Sequence, residues 1–277
     1  MKNKSHNIFL LIVIALFIFT SIFIACAPLQ DSPFSEELLR TERDLNKKSL
    51  DRILNIEIDG KIRIAIFTDS HLNYKELDQI IFQINQTANL DFNVNLGDFT
   101  NSGYNMEYNQ FLDSFVGLNG PTLSVTGNHD ALGAGPVLFR KAFGDSNYWF
   151  ESDTKRFIFF HSAVPEDSEG FKPDWLKKSV DESVKPVIIF SHAQLRDSER
   201  FTGNVAQMFS DIVASPKVIL ILNGHNHIFD LTTDSGTAML QAPSTDGSEW
   251  LLIEIQGTNA SITKMKTGEI VSVTLKN

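Results

Sequence analysis

The chain has 277 residues, of which 42% are hydrophobic and 21% are charged, a composition typical of a globular protein rather than a disordered one. Its length predicts one domain with appendages. A net charge of −10 disfavours binding to nucleic acid phosphates, which requires clustered Lys and Arg, so no nucleic acid partner is expected. The single cysteine, Cys26, excludes an intrachain disulfide and a multi-cysteine zinc site.

Residues 1–26 have the features of an export signal. Lys2 and Lys4 precede an uncharged, largely apolar run over residues 8–24. An export signal has an apolar core of ~7–15 residues and a membrane span needs ~20, so the length of this run lies between the two. Residues 23–26 (Phe-Ile-Ala-Cys) resemble the lipobox of bacterial lipoproteins, which implies lipidation of Cys26, although Phe23 replaces the usual leucine.

The alternative for this segment is an uncleaved N-terminal anchor with an incidental cysteine. Both interpretations predict a protein that is attached to a membrane, with its remaining residues outside the cytoplasm at the cell envelope.

Residues 27–60 predict a linker followed by a stalk or packing helix without chemistry. Two prolines lie within residues 27–34, and Ser35 is a suitable helix cap because Glu36 and Glu37 follow it in the first turn. A loosely amphipathic leucine pattern continues through this charged segment. We therefore place the boundary of the main domain at residue 61, so that the domain covers residues 61–277.

From Ile62 onward the pattern is that of an α/β fold. Apolar runs that predict strands cover residues 62–67, 92–96, 123–125, 187–190 and 218–222. Helical patterns between them cover residues 75–88, 108–118 and 205–213. Continuous apolar strands that alternate with helices are typical of a sheet buried on both faces.

Further strand-like runs follow outside this alternating part. A hairpin is predicted over residues 148–151 and 156–161. Five short strands are predicted after His227, over residues 229–231, 237–240, 250–255, 260–264 and 270–275. We expect these late strands to form a second sheet that packs on the first.

Each of the five apolar runs of the α/β part ends in a polar cluster. The clusters are Asp69-Ser70-His71, Gly97-Asp98, Gly127-Asn128-His129-Asp130, Ser191-His192 and Asn223-Gly224-His225-Asn226-His227. Ligands of open α/β sheets bind beyond the carboxyl ends of the strands, so the five clusters should converge on one crevice. Five of the chain's seven histidines lie in them, which predicts a metal site with nitrogen and oxygen ligands.

Single motifs leave structural alternatives open. His192 by itself fits a hydrogen-bonded core residue as well as a ligand, whereas His225 and His227, two residues apart on extended backbone, point the same way. In the third cluster, Asn128 offers a neutral oxygen ligand and His129 a proton donor. Asp130 offers a carboxylate able to orient that imidazole.

The ordered series of motifs resembles the calcineurin-like metallophosphoesterases over residues 62–228. The resemblance implies a four-layer α/β/β/α sandwich with two packed mixed sheets and two divalent ions, Mn, Fe or Zn. It assigns Asp69, His71 and His227 to one ion, Asn128, His192 and His225 to the other, and Asp98 to both as a bridge. It also implies hydrolysis of a phosphate ester by a hydroxide between the ions, with His129 near the leaving oxygen and Asp130 orienting it.

Individual branches of the family differ at single positions. Asn101 stands where purple acid phosphatases carry an iron-binding tyrosine, so a tyrosinate-iron centre is not expected. The motifs most resemble class III cyclic nucleotide phosphodiesterases, although Ala193-Gln194 replaces the His-Pro of that branch. We expect hydrolysis of phosphate mono- or diesters. The alternative is an envelope lipoprotein that keeps the fold as a metal-binding, ligand-binding or scaffolding module.

Three loops are predicted to form the rim of the pocket, over residues 101–109, 131–140 and 193–201. Their arginines are candidate phosphate ligands, because guanidinium binds phosphate through two hydrogen bonds. These are Arg140, Arg196 and Arg200, each with the alternative of a solvated surface residue. The aromatic residues Tyr104, Tyr108 and Phe201 are expected either to stack on a base or to pack the loops.

Overall fold

The computed structural model describes residues 12–14, 32–53, 57 and 60–276. Cys26 and most of the predicted signal lie outside these residues, so its lipidation stays a prediction. Among the described helices, none is long and apolar enough to cross a membrane.

Two six-stranded mixed sheets form the centre of the domain. The first has the order β12-β11-β10-β1-β2-β3 and the second β4-β5-β6-β7-β9-β8. The strands are β1 Ile62–Phe67, β2 Phe92–Asn95, β3 Thr122–Ser124, β4 Tyr148–Glu151, β5 Arg156–Phe160, β6 Val187–Ser191, β7 Val218–Asn223, β8 Asp230–Asp234, β9 Thr237–Gln241, β10 Leu251–Gln256, β11 Asn259–Lys264 and β12 Glu269–Thr274. The motif-bearing strands run parallel within each sheet, β1 with β2 and β3, and β6 with β7.

Helices cover the outer face of each sheet. They are α1 Leu45–Leu50, α2 Tyr74–Gln86, α3 Asn105–Phe115, α4 Gly135–Phe143, α5 Pro173–Asp181 and α6 Gly203–Ala214. From Ile64 onward strand β1 is apolar on both faces, since Ile64 and Ile66 face the second sheet while Phe67 packs among residues of α2 to α4. Successive side chains of a strand point to opposite faces. The predicted α/β/β/α sandwich is confirmed.

The late strands do not form a sheet of their own. Strands β8 and β9 extend the second sheet, and β10 to β12 extend the first through the pairing of β10 with β1. The expectation that a second sheet takes up the late strands holds for β8 and β9 but was wrong for β10 to β12, because a period-two pattern predicts a strand but does not choose its partner. Consequently the five motif-bearing strands lie in two different sheets, and the site forms where both sheets end.

Two of the predicted rim loops contain helices. Helix α3 begins at Asn105 and α4 spans Gly135–Phe143, whereas residues 193–201 are irregular as expected. Pro136 lies at the first turn of α4, where its fixed backbone torsion favours a helix start. The proline was therefore a signal in the sequence for the start of this helix.

The segment before the domain packs against it. The helix predicted from Ser35 is wrong, because residues 35–44 form bends and irregular backbone. The amides of Leu39 and Arg40 both donate to Asn109 Oδ1, at 2.9 and 3.0 Å, instead of to helical carbonyls. Leu38 is buried with the helices of the first sheet. These contacts fix residues 38–40 on the surface of α3.

Asn46 completes the edge of the first sheet. Its Nδ2 donates to the carbonyl of Ser124 at 3.1 Å, and its Oδ1 accepts from the amide of Ser124 at 2.8 Å. Strand β3 is an edge strand, and an edge leaves backbone groups without a partner strand. The side chain of Asn46 therefore takes the place of a neighbouring strand at this residue.

We expect Asn46→Ala to lower the free energy of unfolding by about 1–3 kcal/mol, because the buried amide of Ser124 loses its acceptor. Urea denaturation followed by circular dichroism measures the change. Asn259→Ala, at an exposed strand position, is the matched control. An unchanged midpoint for Asn46→Ala would show that the contact does not stabilise the edge.

Candidate dinuclear metal centre

The first ligand group lies beyond the ends of β1 and β7. Asp69, His71 and His227 each place one ligand atom within 4.8 Å of the others. The Nε2 atoms of His71 and His227 are 3.4 Å apart, and His227 Nε2 is 3.3 Å from Asp69 Oδ1. The structure thus brings together the three residues predicted to hold one ion.

The second group surrounds the ring of His192. Its Nε2 lies 3.0 Å from Asp98 Oδ2, 3.1 Å from Asn128 Oδ1 and 3.2 Å from His225 Nδ1. His192 and Asp98 are buried, and His225 is half-buried. The four residues predicted for the second ion and for the bridge therefore converge on one point.

The backbone that presents these ligands is strained. Five of the predicted ligands have a positive φ, namely Asp69 at 53°, His71 at 46°, Asp98 at 52°, His225 at 74° and His227 at 58°. Residues with a Cβ rarely adopt this region, and such strain concentrates at functional sites. The ligand loops also approach closely, because a Cβ on Gly224 would overlap Asp69 Oδ2.

The donor atoms of the first group fit a cation. Asp69 Oδ2 accepts from Thr68 Oγ1 at 2.6 Å and from the amide of His225 at 3.1 Å. The other oxygen, Oδ1, is buried without a hydrogen bond from the residues that the structure describes, and its polar neighbour is His227 Nε2 at 3.3 Å. Buried polar atoms are otherwise almost always satisfied. A carboxylate oxygen and two imidazole nitrogens that face one another form a donor set suited to Mn, Fe or Zn.

The charges of the second group also bear on whether it fits a cation. Burial opposes the charged forms of Asp98 and His192, but their attraction outweighs it, so that the pKa of Asp98 falls to about 2 and the pKa of His192 rises to about 9. Burial and the positive charges of His192 and Arg200 lower the pKa of His225 to about 4. The ionised carboxylate of Asp98 thus favours a positive charge at His192, whereas a positive charge on His225 is disfavoured.

The segment after β2 orients three imidazoles through backbone carbonyls. The pairs are His192 Nδ1 with the carbonyl of Leu96 at 2.9 Å, His71 Nδ1 with that of Thr100 at 3.2 Å and His129 Nδ1 with that of Asn101 at 2.7 Å. A carbonyl can only accept, so each Nδ1 carries a proton. In His71 and His192 the other ring nitrogen, Nε2, lies among the ligand atoms.

Asp130 does not orient His129, which corrects the role predicted for it. Its buried carboxylate accepts hydrogen bonds from the amides of Asp98 at 2.7 Å, Thr100 at 2.9 Å and Gly127 at 2.9 Å, and from Thr100 Oγ1 at 3.0 Å. Asp130 therefore joins the segments after β2 and β3. The prediction failed because adjacent residues on a tight turn point in different directions.

Only one of the three candidate arginines contacts a predicted ligand. Arg200 Nε lies 3.3 Å from His225 Nε2, and its guanidinium also binds Glu166. Arg196 instead pairs with Asp234 at 2.7 Å, and Arg140 lies 4.0 Å from Asp167. Of the three arginines, Arg200 is therefore the one that adjoins the centre.

The three aromatic residues pack the protein around the site. Tyr108 is buried and donates to the carbonyls of Asp130 and Gly135. Phe201 is buried and stacks on Phe171. Tyr104 packs edge to face on Phe34.

Some residues of the centre were missed from the sequence. Thr68 and Thr100 follow strand ends but are not ligands, so no motif pointed to them. Asp197, whose Oδ2 is 3.9 Å from His225 Nε2, lies in an irregular loop. Their roles depend on contacts that cross between loops.

A family model supplies the assignment. The model described as calcineurin-like phosphoesterase matches residues 62–229, which is more than half of the chain. The protein belongs to the calcineurin-like phosphoesterase family. This membership, together with the two ligand groups, supports phosphoester hydrolysis at a metal centre. No match is found among curated proteins.

Solved structures share the fold at low sequence identity. A dimetal phosphatase from Danio rerio has 13% identity and a TM-score of 0.62, with 77% of this chain and 98% of that chain covered. Purple acid phosphatase PPD1 from yellow lupin has 12% identity and a TM-score of 0.61, with 77% and 54% covered. GAP50, the anchor in the inner membrane complex of Plasmodium, has 16% identity and a TM-score of 0.56, with 78% and 89% covered.

We expect Asp130→Asn to weaken metal binding about 10–100-fold although Asp130 is not a ligand, because residues that support ligands contribute this much to affinity. Isothermal titration with Mn²⁺ or Zn²⁺ measures the change. Asp153→Asn, at an exposed position, is the control. Unchanged affinity in Asp130→Asn would mean that the loops hold their geometry without this carboxylate.

Proposed function

We propose that the protein hydrolyses phosphate mono- or diesters at the cell envelope with two divalent ions, Mn, Fe or Zn. The observation that carries the proposal is the proximity of the two ligand groups. The backbone amide of His225, which belongs to the second group, donates a hydrogen bond to Asp69 Oδ2 of the first group at 3.1 Å. Asp98 acts electrostatically on both His192 and His227, which is consistent with its assignment as the bridge.

The residues divide into ligands and reacting groups. Asp69, His71 and His227 would hold one ion, and Asn128, His192 and His225 the other, with Asp98 shared. Two such ions activate a water molecule and neutralise the charge of the phosphate.

His129 is the proton donor of the proposed reaction. The carbonyl of Asn101 fixes its Nδ1, which leaves Nε2 free to approach the leaving oxygen. Its ring packs edge to face on that of His71, with the centroids 5.0 Å apart, so it lies beside the first ligand group. From there the imidazole donates a proton to the leaving oxygen or stabilises its developing charge.

Arg200 binds a phosphate oxygen on the opposite side. Glu166 holds its guanidinium at 3.1 Å beside His225, so the charge is in place before a substrate arrives. Such preorganisation favours tight binding of phosphate.

The envelope location rests on residues 1–26, whose charged start, apolar run and Cys26 favour export and tethering. The alternative, a scaffolding lipoprotein that keeps the fold, is supported by the likeness to GAP50, which is an anchor. The retained proton donor and full ligand set favour the enzyme. Loss of turnover on removal of the metal or of His129 distinguishes the two functions.

We expect metal-stripped protein to regain hydrolysis of p-nitrophenyl phosphate or its bis ester on addition of Mn²⁺, Zn²⁺ or Fe²⁺. Asp98→Asn should reduce kcat on the order of 100-fold or more, because the shared negative charge is lost. The ratio of the two substrates separates monoesterase from diesterase. If the wild-type protein binds two ions yet releases no more nitrophenol than Asp98→Asn, generic phosphoesterase activity is excluded.

His129→Ala should reduce kcat by about 100-fold for an alkyl phosphate and by less for p-nitrophenyl phosphate. An alkoxide needs a proton as it leaves, whereas nitrophenolate is a good leaving group without one. Phosphate and nitrophenol release measure the two rates. Equal losses for both substrates would contradict the role of proton donor.

Arg200→Ala should lower kcat/KM on the order of 10–100-fold, because a charge-assisted hydrogen bond to phosphate contributes about 1.5–3 kcal/mol. Arg196→Ala is the matched control, since Arg196 lies in the same loop but pairs with Asp234. Equal kinetics for the two variants would exclude Arg200 as the phosphate ligand.

A further inference from the structure

Exposed aliphatic side chains follow the histidines on the open side of the centre. Leu72 comes directly after His71 and is 46% exposed, Ile228 comes directly after His227 and is 53% exposed, and Leu132, three residues after His129, is 38% exposed. The ring of His71 contacts both other rings, with its centroid 5.0 Å from that of His129 and 5.3 Å from that of His227. An exposed apolar residue thus follows each of these three histidines closely in the chain.

Near His129 the apolar surface continues over further segments. The amide of Leu132 donates to the carbonyl of His129, and the backbone at Gly103 touches that of Leu132 so closely that a Cβ on Gly103 would overlap it. The next residue, Tyr104, packs on Phe34, with ring centroids 5.4 Å apart, and Phe34 is 72% exposed. We call Phe34, Tyr104 and Leu132 the apolar flank.

The rim beside His225 has the reverse character. Arg200 and Asp197 lie within 3.9 Å of His225 Nε2, and Glu166 binds the guanidinium of Arg200 at 3.1 Å. A phosphate meets charge on this side and hydrocarbon on the side of His129. In the proposed reaction His129 faces the leaving oxygen, so the apolar flank adjoins the leaving group.

Single exposed hydrophobic residues are common on protein surfaces and need no explanation. Val184, 92% exposed, is such a residue, in the turn before β6 and therefore at the opposite end of that strand from His192. The apolar flank differs because Phe34 and Tyr104 are in ring contact, the backbone of Leu132 meets that of Gly103 beside Tyr104, and Leu132 is hydrogen-bonded to His129. Apolar side chains gathered beside a polar site are typical of a ligand contact.

We propose that the leaving group of the substrate is an apolar alcohol that lies on the apolar flank. This inference rests on the proposed function and names its substrate class, a phosphate ester with an aliphatic or lipid-like alcohol. The bond that breaks joins phosphorus to the alcohol oxygen; water supplies the hydroxyl that stays on phosphorus, and the alcohol leaves with a proton. Nucleosides and sugars, which present hydroxyls to this surface, are disfavoured.

The test is a series of n-alkyl phosphates from methyl to hexyl, with the full-length protein in phosphatidylcholine nanodiscs and phosphate release as the readout. If the protein takes only diesters, the dialkyl phosphates replace them and release of the alcohol is the readout. The alcohols from propyl onward differ little as leaving groups, so a change in kcat/KM along the series reports binding of the alkyl group. We expect kcat/KM to rise about two- to fourfold per added methylene, which corresponds to partial or full burial of each group.

Leu132→Ser and Phe34→Ser should each reduce the rise in kcat/KM with chain length, while kcat/KM for methyl phosphate stays within about twofold of the wild-type value. Val184→Ser should leave the rise unchanged. Both residues are exposed, so the substitutions spare the core. A flat series in the wild-type protein, with metal-dependent hydrolysis of p-nitrophenyl phosphate intact, would overturn this inference and leave the proposed function standing. Absence of metal-dependent hydrolysis of every ester would overturn both.

Discussion

The buried carboxylate of Asp130 accepts four hydrogen bonds from the segments after β2 and β3, and the geometry of the centre depends on this connection. The segment after β2 provides Asp98 itself and the three carbonyls that orient His71, His129 and His192. A single carboxylate therefore fixes the direction of one carboxylate ligand and, through the backbone, of three imidazoles. The arrangement shows how a residue that binds no metal can control a metal site.

The rest of the fold supplies the rigidity that this arrangement requires. Five ligands in a left-handed backbone conformation cost free energy of order 1–3 kcal/mol each, and such strain persists only where the surroundings over-determine it. Here each ligand loop leaves the end of a buried strand, and the strands of both sheets share one core. The loops are short and begin from fixed points. Convergence from two sheets also lets ligands approach the ions from several directions.

The centre is asymmetric in polarity, which bears on its chemistry. Charged groups gather beside His225, and apolar side chains gather beside His129. A phosphate ester is itself asymmetric, with an anionic phosphoryl group and an alcohol. Family membership alone leaves the alcohol open, because one fold serves many substrates. The surface beyond the ligands, with its apolar flank, is the basis of the leaving group proposed for this chain.

The sequence by itself determined the α/β class, the approximate strand positions and the seven residues that the structure gathers into two candidate ligand groups, because those signals are local. Apolar runs mark buried strands, and polar clusters at their ends mark a crevice. Tertiary structure alone decided that β10 to β12 join the first sheet, that Asn101 rather than Asp130 orients His129, and that Arg200 rather than Arg196 adjoins the centre. Each of these outcomes depends on which segments meet across the fold, and a linear pattern carries no information about such contacts.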